Sequence, residues 1–120
     1  MLCLLLVLAG CDVSIPARTT SAADAEVRAS VSNPNPLQDS PVTVSAQLTS
    51  HGQPVANVPM TATWHYKTTT PSCSGTTGAN GVASCTRYIG GASHGYRVKI
   101  SIRFAWNNQT YRGETSFRPR

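Results

Sequence analysis

The chain has 120 residues, of which 12% are charged and 40% hydrophobic, and its formal net charge is +5 at pH 7. This length suits one small domain with a short appended segment, and the charge is well below that of a strongly basic nucleic-acid-binding protein, so no nucleic-acid partner is expected. Few charges together with abundant Thr, Ser, Gly, Pro and Val favour an extracytoplasmic all-β protein.

An apolar run, Leu2–Ala9, opens the chain. The run is far too short to cross a bilayer, which takes about 20 apolar residues. An apolar segment that ends in small residues is instead typical of a cleavable signal. The sequence Leu8-Ala9-Gly10-Cys11 resembles a bacterial lipobox, and this resemblance implies cleavage before Cys11 and a diacylglyceryl group on its sulfur. A buried N-terminal strand or helix is the alternative interpretation.

Three segments are therefore predicted: a lipoprotein signal peptide over residues 1–10, an acylated N-terminus and flexible tether over residues 11–24, and a β-sandwich over residues 25–120. The tether has little apolar content and no periodicity, and a coil of this length spans roughly 20 Å. No basic residue precedes the apolar run, so we expect the natural start to lie upstream. The protein is expected at the bacterial cell envelope, where the lipid on Cys11 holds it to a membrane outside the cytoplasm.

Alternating apolar and polar residues predict β-strands through the rest of the chain. The first strand begins near Glu26, and turns are predicted at residues 33–41 and 51–54, which are rich in Pro, Asn and Gly. The side chains expected to face inward from the next two strands are Val42, Val44, Ala46 and Leu48, and then Val58, Met60, Ala62, Trp64 and Tyr66. These apolar companions favour a core position for Trp64 over an exposed, sugar-stacking one.

Asn80-Gly81 is typical of a type I′ turn. It is expected to join the preceding segment to a strand over residues 82–89 in one hairpin. Cys73 and Cys85 flank this turn, and an oxidising compartment makes a disulfide between them the expected state. A metal site is the alternative, but neither a second Cys pair nor a His at ligand spacing accompanies them.

Asn107-Asn108 is the second predicted tight turn, between strands over residues 96–106 and 109–118. A two-residue turn fixes the register of both strands. When residues are counted outward from the turn, four pairs are expected on the apolar surface: Phe104 with Tyr111, Ile102 with Gly113, Ile100 with Thr115 and Val98 with Phe117. The solvent surface pairs Arg103 with Arg112, Ser101 with Glu114, Lys99 with Ser116 and Arg97 with Arg118. Like charges opposite each other are mildly destabilising, so two such Arg pairs on one solvent face require an explanation.

About seven short strands with turns at this spacing predict an all-β, antiparallel β-sandwich. The segments GQPVANVPM at residues 52–60 and TGANGVA at residues 77–83 resemble the signatures of bacterial immunoglobulin-like domains of the invasin and intimin type. This resemblance covers roughly residues 25–118. It implies an immunoglobulin-like sandwich used as a spacer, an adhesive module or a protein-interaction surface. A single copy cannot form a long stalk, which disfavours the spacer.

No catalytic constellation is evident. The few carboxylates of the chain are scattered over the predicted tether, turns and last hairpin, so no pair is placed for acid–base chemistry. We therefore expect neither an enzyme nor a cofactor. The alternative function is a transthyretin-like carrier of a small ligand or metal, which would use the end loops with His51, His65, His94 and Met60.

A basic sheet surface is the predicted binding site. The strand that holds Trp64 is expected beside the long strand over residues 96–106, which would gather basic side chains on one solvent face. The candidates for binding an anionic partner are Lys67, Arg97, Lys99, Arg103, Arg112 and Arg118. The partner could be an anionic envelope polymer, a phospholipid head group or an acidic protein. The alternative interpretation is a solvated face that only keeps the sheet soluble.

Overall fold

The computed structural model describes residues 24–120. The predicted signal peptide, Cys11 and the predicted tether up to residue 23 lie outside these residues. The strands are β1 (Glu26–Val31), β2 (Pro41–Ser50), β3 (Gln53–Pro54), β4 (Pro59–His65), β5 (Ser72–Thr76), β6 (Val82–Tyr88), β7 (Val98–Trp106) and β8 (Gln109–Phe117). Within residues 24–120, no helix has the length and apolar character needed to span a membrane.

The strands form two antiparallel sheets. In sheet A, β2 lies between β1 and β6, and its last residues also pair with the short β3. Sheet B has the order β5-β4-β7-β8. This arrangement confirms the predicted all-β, antiparallel fold and is consistent with a β-sandwich.

Alternation of side chains along the strands builds the core between the sheets. The core residues of the long strands are fully buried at every second position: Val42, Val44, Ala46 and Leu48 in β2, Met60, Ala62 and Trp64 in β4, and Val98, Ile100, Ile102 and Phe104 in β7. Burying one Val, Leu, Ile or Phe side chain contributes about 1.5–3 kcal/mol. The inward assignments for these strands are therefore confirmed, including the core position of Trp64.

The predicted turn at Asn107-Asn108 is confirmed. Both residues have positive φ, 55° and 61°, as a type I′ turn requires. The ladder from β7 to β8 pairs Phe104 with Tyr111 and Arg103 with Arg112, which is the register that counting outward predicts.

The predicted hairpin at Asn80-Gly81 is wrong. Strand β5 pairs with β4 in sheet B, whereas β6 pairs with β2 in sheet A, so this turn carries the chain from one sheet to the other. Only Gly81 of the two central residues has positive φ, 77°, and its N–H donates to the Gly78 carbonyl at 2.9 Å. An added Cβ at Gly81 would lie 2.7 Å from the Leu48 carbonyl oxygen. The glycine therefore allows the turn to lie against β2.

The Cys73–Cys85 disulfide is confirmed, and it joins the two sheets. Cys73 lies in β5 and Cys85 in β6, with their Cα atoms 6.0 Å apart. The two strands also approach closely beside the disulfide, because an added Cβ at Gly75 would lie 2.6 Å from the Ser84 carbonyl oxygen. The disulfide thus closes one side of the sandwich.

The C-terminal residues close one end of the sandwich. The Arg118 N–H donates to the Pro34 carbonyl at 2.8 Å, and the Arg120 N–H donates to the Pro36 carbonyl at 3.0 Å. Pro36 and Pro119 are both fully buried. The loop between β1 and β2 is therefore fixed against the end of the chain.

Candidate binding surfaces

The outer face of sheet B presents three rows of polar side chains across β4, β7 and β8. The rows are Thr61, Arg103 and Arg112; then Thr63, Ser101 and Glu114; then His65, Lys99 and Ser116. We call these nine residues the outer face. Lys99, Arg103 and Arg112 lie together on this face, as predicted, and the Thr and Ser residues of the face surround them with hydroxyl groups.

Lys99 is not a free cation on this face. Its Nζ lies 3.2 Å from Glu114 Oε2, and the two side chains are 55% and 54% exposed. His65 Nε2 forms a hydrogen bond of 2.9 Å with Ser101 Oγ. An exposed ion pair contributes little stability, at most about 1 kcal/mol, but it cancels the charge that Lys99 could offer to a ligand.

Arg103 and Arg112 form the uncompensated part of the outer face. They lie directly opposite each other in the ladder between β7 and β8, and both are exposed. Neither has a carboxylate within salt-bridge distance among residues 24–120. Two like charges in this position repel each other, and an anion between them would be attracted by both guanidinium groups.

Arg97 and Arg118 lie just beyond the end of the ladder between β7 and β8. The ladder ends at the pair of Val98 and Phe117, so the predicted pairing of Arg97 with Arg118 is wrong. Arg97 Nε instead donates to Ser116 Oγ at 3.3 Å, and Arg118 Nη1 donates to the Gly95 carbonyl at 3.3 Å. A side-chain hydrogen bond of Arg97 and a side-chain hydrogen bond of Arg118 to a backbone carbonyl therefore replace the expected pair.

Lys67 lies beyond the end of β4, so it does not join the outer face as expected. It lines a cleft of about 310 Å³ at the end of the sandwich, together with residues 66–69, Pro71, residues 87–93 and Tyr96. We call this the end cleft. The sequence does not reveal this cleft, because its walls come from three separate segments that the sequence predicts only as loops or strand ends.

Two buried polar atoms in the wall of the end cleft have no hydrogen-bond partner among residues 24–120: Tyr66 Oη and Arg87 Nε. Burial raises the pKa of Tyr66 above its ordinary value, although the positive charge of Arg87 acts in the opposite direction. The phenol therefore remains protonated at neutral pH. Arg87 Nη1 donates to the Ser72 carbonyl at 3.3 Å, which holds the guanidinium at the cleft.

The structure does not bring together the residues considered for a metal carrier. Met60 is buried in the core, His51 lies in the exposed turn between β2 and β3, and His94 Nδ1 contacts the Arg120 carbonyl. Within the described part of the chain, no three His, Cys, Asp or Glu side chains form a group that could hold a metal ion.

No model of a known protein family matches the chain, and no curated protein matches it. By its fold and its two surfaces, the protein is a disulfide-linked β-protein of two sheets, with an exposed Arg pair on one sheet and an aromatic, basic cleft at one end.

Proposed function

We propose that this protein is a lipid-anchored, non-enzymatic module of the bacterial cell envelope with an immunoglobulin-like fold, and that its outer face binds an anionic envelope polymer. Seven main strands divided between two packed antiparallel sheets support the immunoglobulin-like assignment. The lipobox-like sequence before Cys11 supports the anchor. The disulfide supports an oxidising compartment outside the cytoplasm.

The uncompensated pair of Arg103 and Arg112 carries the proposal. A sheet that served only to cover the core would gain stability from a neutral or oppositely charged pair at these positions. Hydroxyl groups of Thr61, Thr63 and Ser101 lie in the same or the adjacent row, and can donate hydrogen bonds to polymer oxygens. Guanidinium groups bind phosphate and carboxylate through paired N–H donors, so an extended anionic chain fits this face.

Charge reversal tests the face. We expect Arg112→Glu to weaken the binding of the purified full chain to immobilised poly(glycerol phosphate) about tenfold at low salt, and the loss to shrink as salt is added because exposed charges are screened. The same change places a carboxylate opposite Arg103, so the free energy of unfolding should rise by about 0.2–1 kcal/mol. Binding is measured by surface plasmon resonance and stability by urea unfolding.

Arg28→Glu is the matched control, because Arg28 is exposed on β1 in sheet A and the substitution changes the net charge by the same amount. It should leave polymer binding within about twofold of wild type. Equal losses for the two variants would mean that only net charge matters. Unchanged binding of Arg112→Glu would overturn the proposal as well.

A further inference from the structure

We infer that the end cleft is a binding site for an acidic saccharide unit, meaning a hexose-sized ring that carries a carboxylate. The cleft is separate from the Arg103–Arg112 pair. Thr61, which lies in the row of that pair, is five residues before Tyr66, which lies just beyond the end of β4; an extended segment of this length spans roughly 17 Å. Binding in the cleft therefore does not depend on the function proposed for the outer face.

The charges that line the end cleft select an anion. Lys67 and Arg87 are both in its wall, and no Asp or Glu side chain of residues 24–120 lines it. Arg87 makes one hydrogen bond to a backbone carbonyl and no ion pair within residues 24–120, and its buried Nε lacks a partner there. A carboxylate in the cleft would thus meet two cations that no acidic side chain of the described residues neutralises, and charge-assisted hydrogen bonds to such groups are strong.

The tyrosines of the end cleft select a ring. Tyr66, Tyr88 and Tyr96 line it, and Tyr88 is 73% exposed and Tyr96 37% exposed. Together with Leu37 these two are the exposed large hydrophobic residues of the described chain. Clustered exposed aromatic residues mark binding sites rather than ordinary surface. The flat C–H face of a sugar packs on such rings, while their hydroxyl groups hydrogen-bond to its oxygens.

The size of the end cleft fits one sugar ring. Its volume of about 310 Å³ is at the lower limit for small-molecule sites. Thr68, Thr69 and Ser93 add hydroxyl groups to its wall. This set of rings, cations and neutral hydroxyls is complementary to a sugar acid.

The end cleft also lies at the opposite end of the sandwich from the first described residues. Tyr88 pairs with Pro41 at the start of β2, whereas Glu26 pairs with Thr49 near its end. The eight residue steps from Pro41 to Thr49 along β2 span about 26 Å. If the chain is anchored through Cys11, as proposed above, the cleft lies at the end of the sandwich remote from the point where the tether enters it. This orientation rests on the proposed function, but the binding of a saccharide does not.

Titration of the purified full chain with glucuronate, glucose and acetate, followed by isothermal calorimetry, tests the inference. Glucuronate has both the ring and the carboxylate, glucose has only the ring, and acetate has only the carboxylate. We expect saturable glucuronate binding with a dissociation constant in the millimolar range, and binding at least about tenfold weaker for glucose and acetate. Equal binding of glucose would show a neutral-sugar site, and equal binding of acetate a simple anion site. Either result, or no saturable glucuronate binding, would overturn the inference.

Variants locate the site. Lys67→Gln and Tyr88→Ser change exposed side chains, so both proteins should unfold at the wild-type temperature. Each should weaken glucuronate binding about five- to tenfold. Arg112→Glu, on the outer face, should leave glucuronate binding unchanged. Glucuronate binding that resists both cleft variants but is lost in Arg112→Glu would assign the sugar to the outer face and overturn the inference.

Discussion

Replacing Cys73 and Cys85 with Ser should lower the free energy of unfolding by about 3 kcal/mol. The bond joins residues 12 positions apart, and closing a loop of this length restricts the unfolded chain by about that amount. The bond also joins the edges of sheets A and B, so its loss removes the covalent link between β5 and β6, which are each hydrogen-bonded into a different sheet. The loss is large for a domain whose total stability is about 5–15 kcal/mol.

Urea unfolding with and without a reducing agent measures this effect. The reduced wild type and the Cys73→Ser/Cys85→Ser variant should have the same lowered midpoint, and the reducing agent should not change the variant further. A difference of less than about 0.5 kcal/mol between variant and oxidised wild type would contradict the role assigned to the disulfide, since surface substitutions alone change stability by that much.

Trp64→Ala should destabilise the protein by about 3–5 kcal/mol, the cost of removing a large buried aromatic side chain. Trp64 is fully buried between the sheets. Its ring meets Phe117 edge-on at a centroid distance of 5.8 Å and stacks with Tyr66 at 6.5 Å. The substitution therefore leaves a cavity and removes an aromatic cluster that joins β4 to β8.

Two further variants separate the effect of the lost ring volume at Trp64 from the effects of the indole N–H and of removing a Trp side chain elsewhere. Trp64 Nε1 is buried with no hydrogen-bond partner in residues 24–120. Trp64→Phe therefore removes an unsatisfied donor and keeps an aromatic ring at this position. We expect this variant to lower the free energy of unfolding by less than about 2 kcal/mol. Trp106→Ala is the matched control, because Trp106 is only half-buried and its ring contacts Tyr111 at 5.9 Å. Thermal and urea unfolding measure the loss of stability in each variant. Equal losses of unfolding free energy in Trp64→Ala and Trp106→Ala would contradict a core role specific to Trp64.

The sequence predicts the strands and one register well because those features are local. Alternation in β2, β4 and β7 identifies the core positions, and the two-residue turn at Asn107-Asn108 fixes every pair between β7 and β8. Asn80-Gly81 shows the limit of such signals. A turn motif identifies where the chain reverses, but it does not identify the sheet that the next strand joins.

The two candidate binding surfaces also differ in how far local sequence predicts them. The Arg103–Arg112 pair could be predicted because it follows from the register of one hairpin. The neutralisation of Lys99 by Glu114 could not, because these residues are diagonal neighbours on different strands and their contact depends on side-chain orientation. The end cleft requires three loops and strand ends to converge. Periodic patterns in the sequence do not predict which loops and strand ends meet.

Both proposed binding surfaces act at the envelope only if Cys11 carries the lipid that holds the domain there. The most direct measurement is the intact mass of the protein recovered from the membrane fraction of its natural host. We expect a chain that begins at Cys11 and carries a diacylglyceryl group on the sulfur, and we expect Cys11→Ala to move a folded protein to the soluble fraction. Membrane-bound protein that retains residues 1–10 without lipid, or Cys11→Ala protein that stays with the membrane, would contradict the anchor.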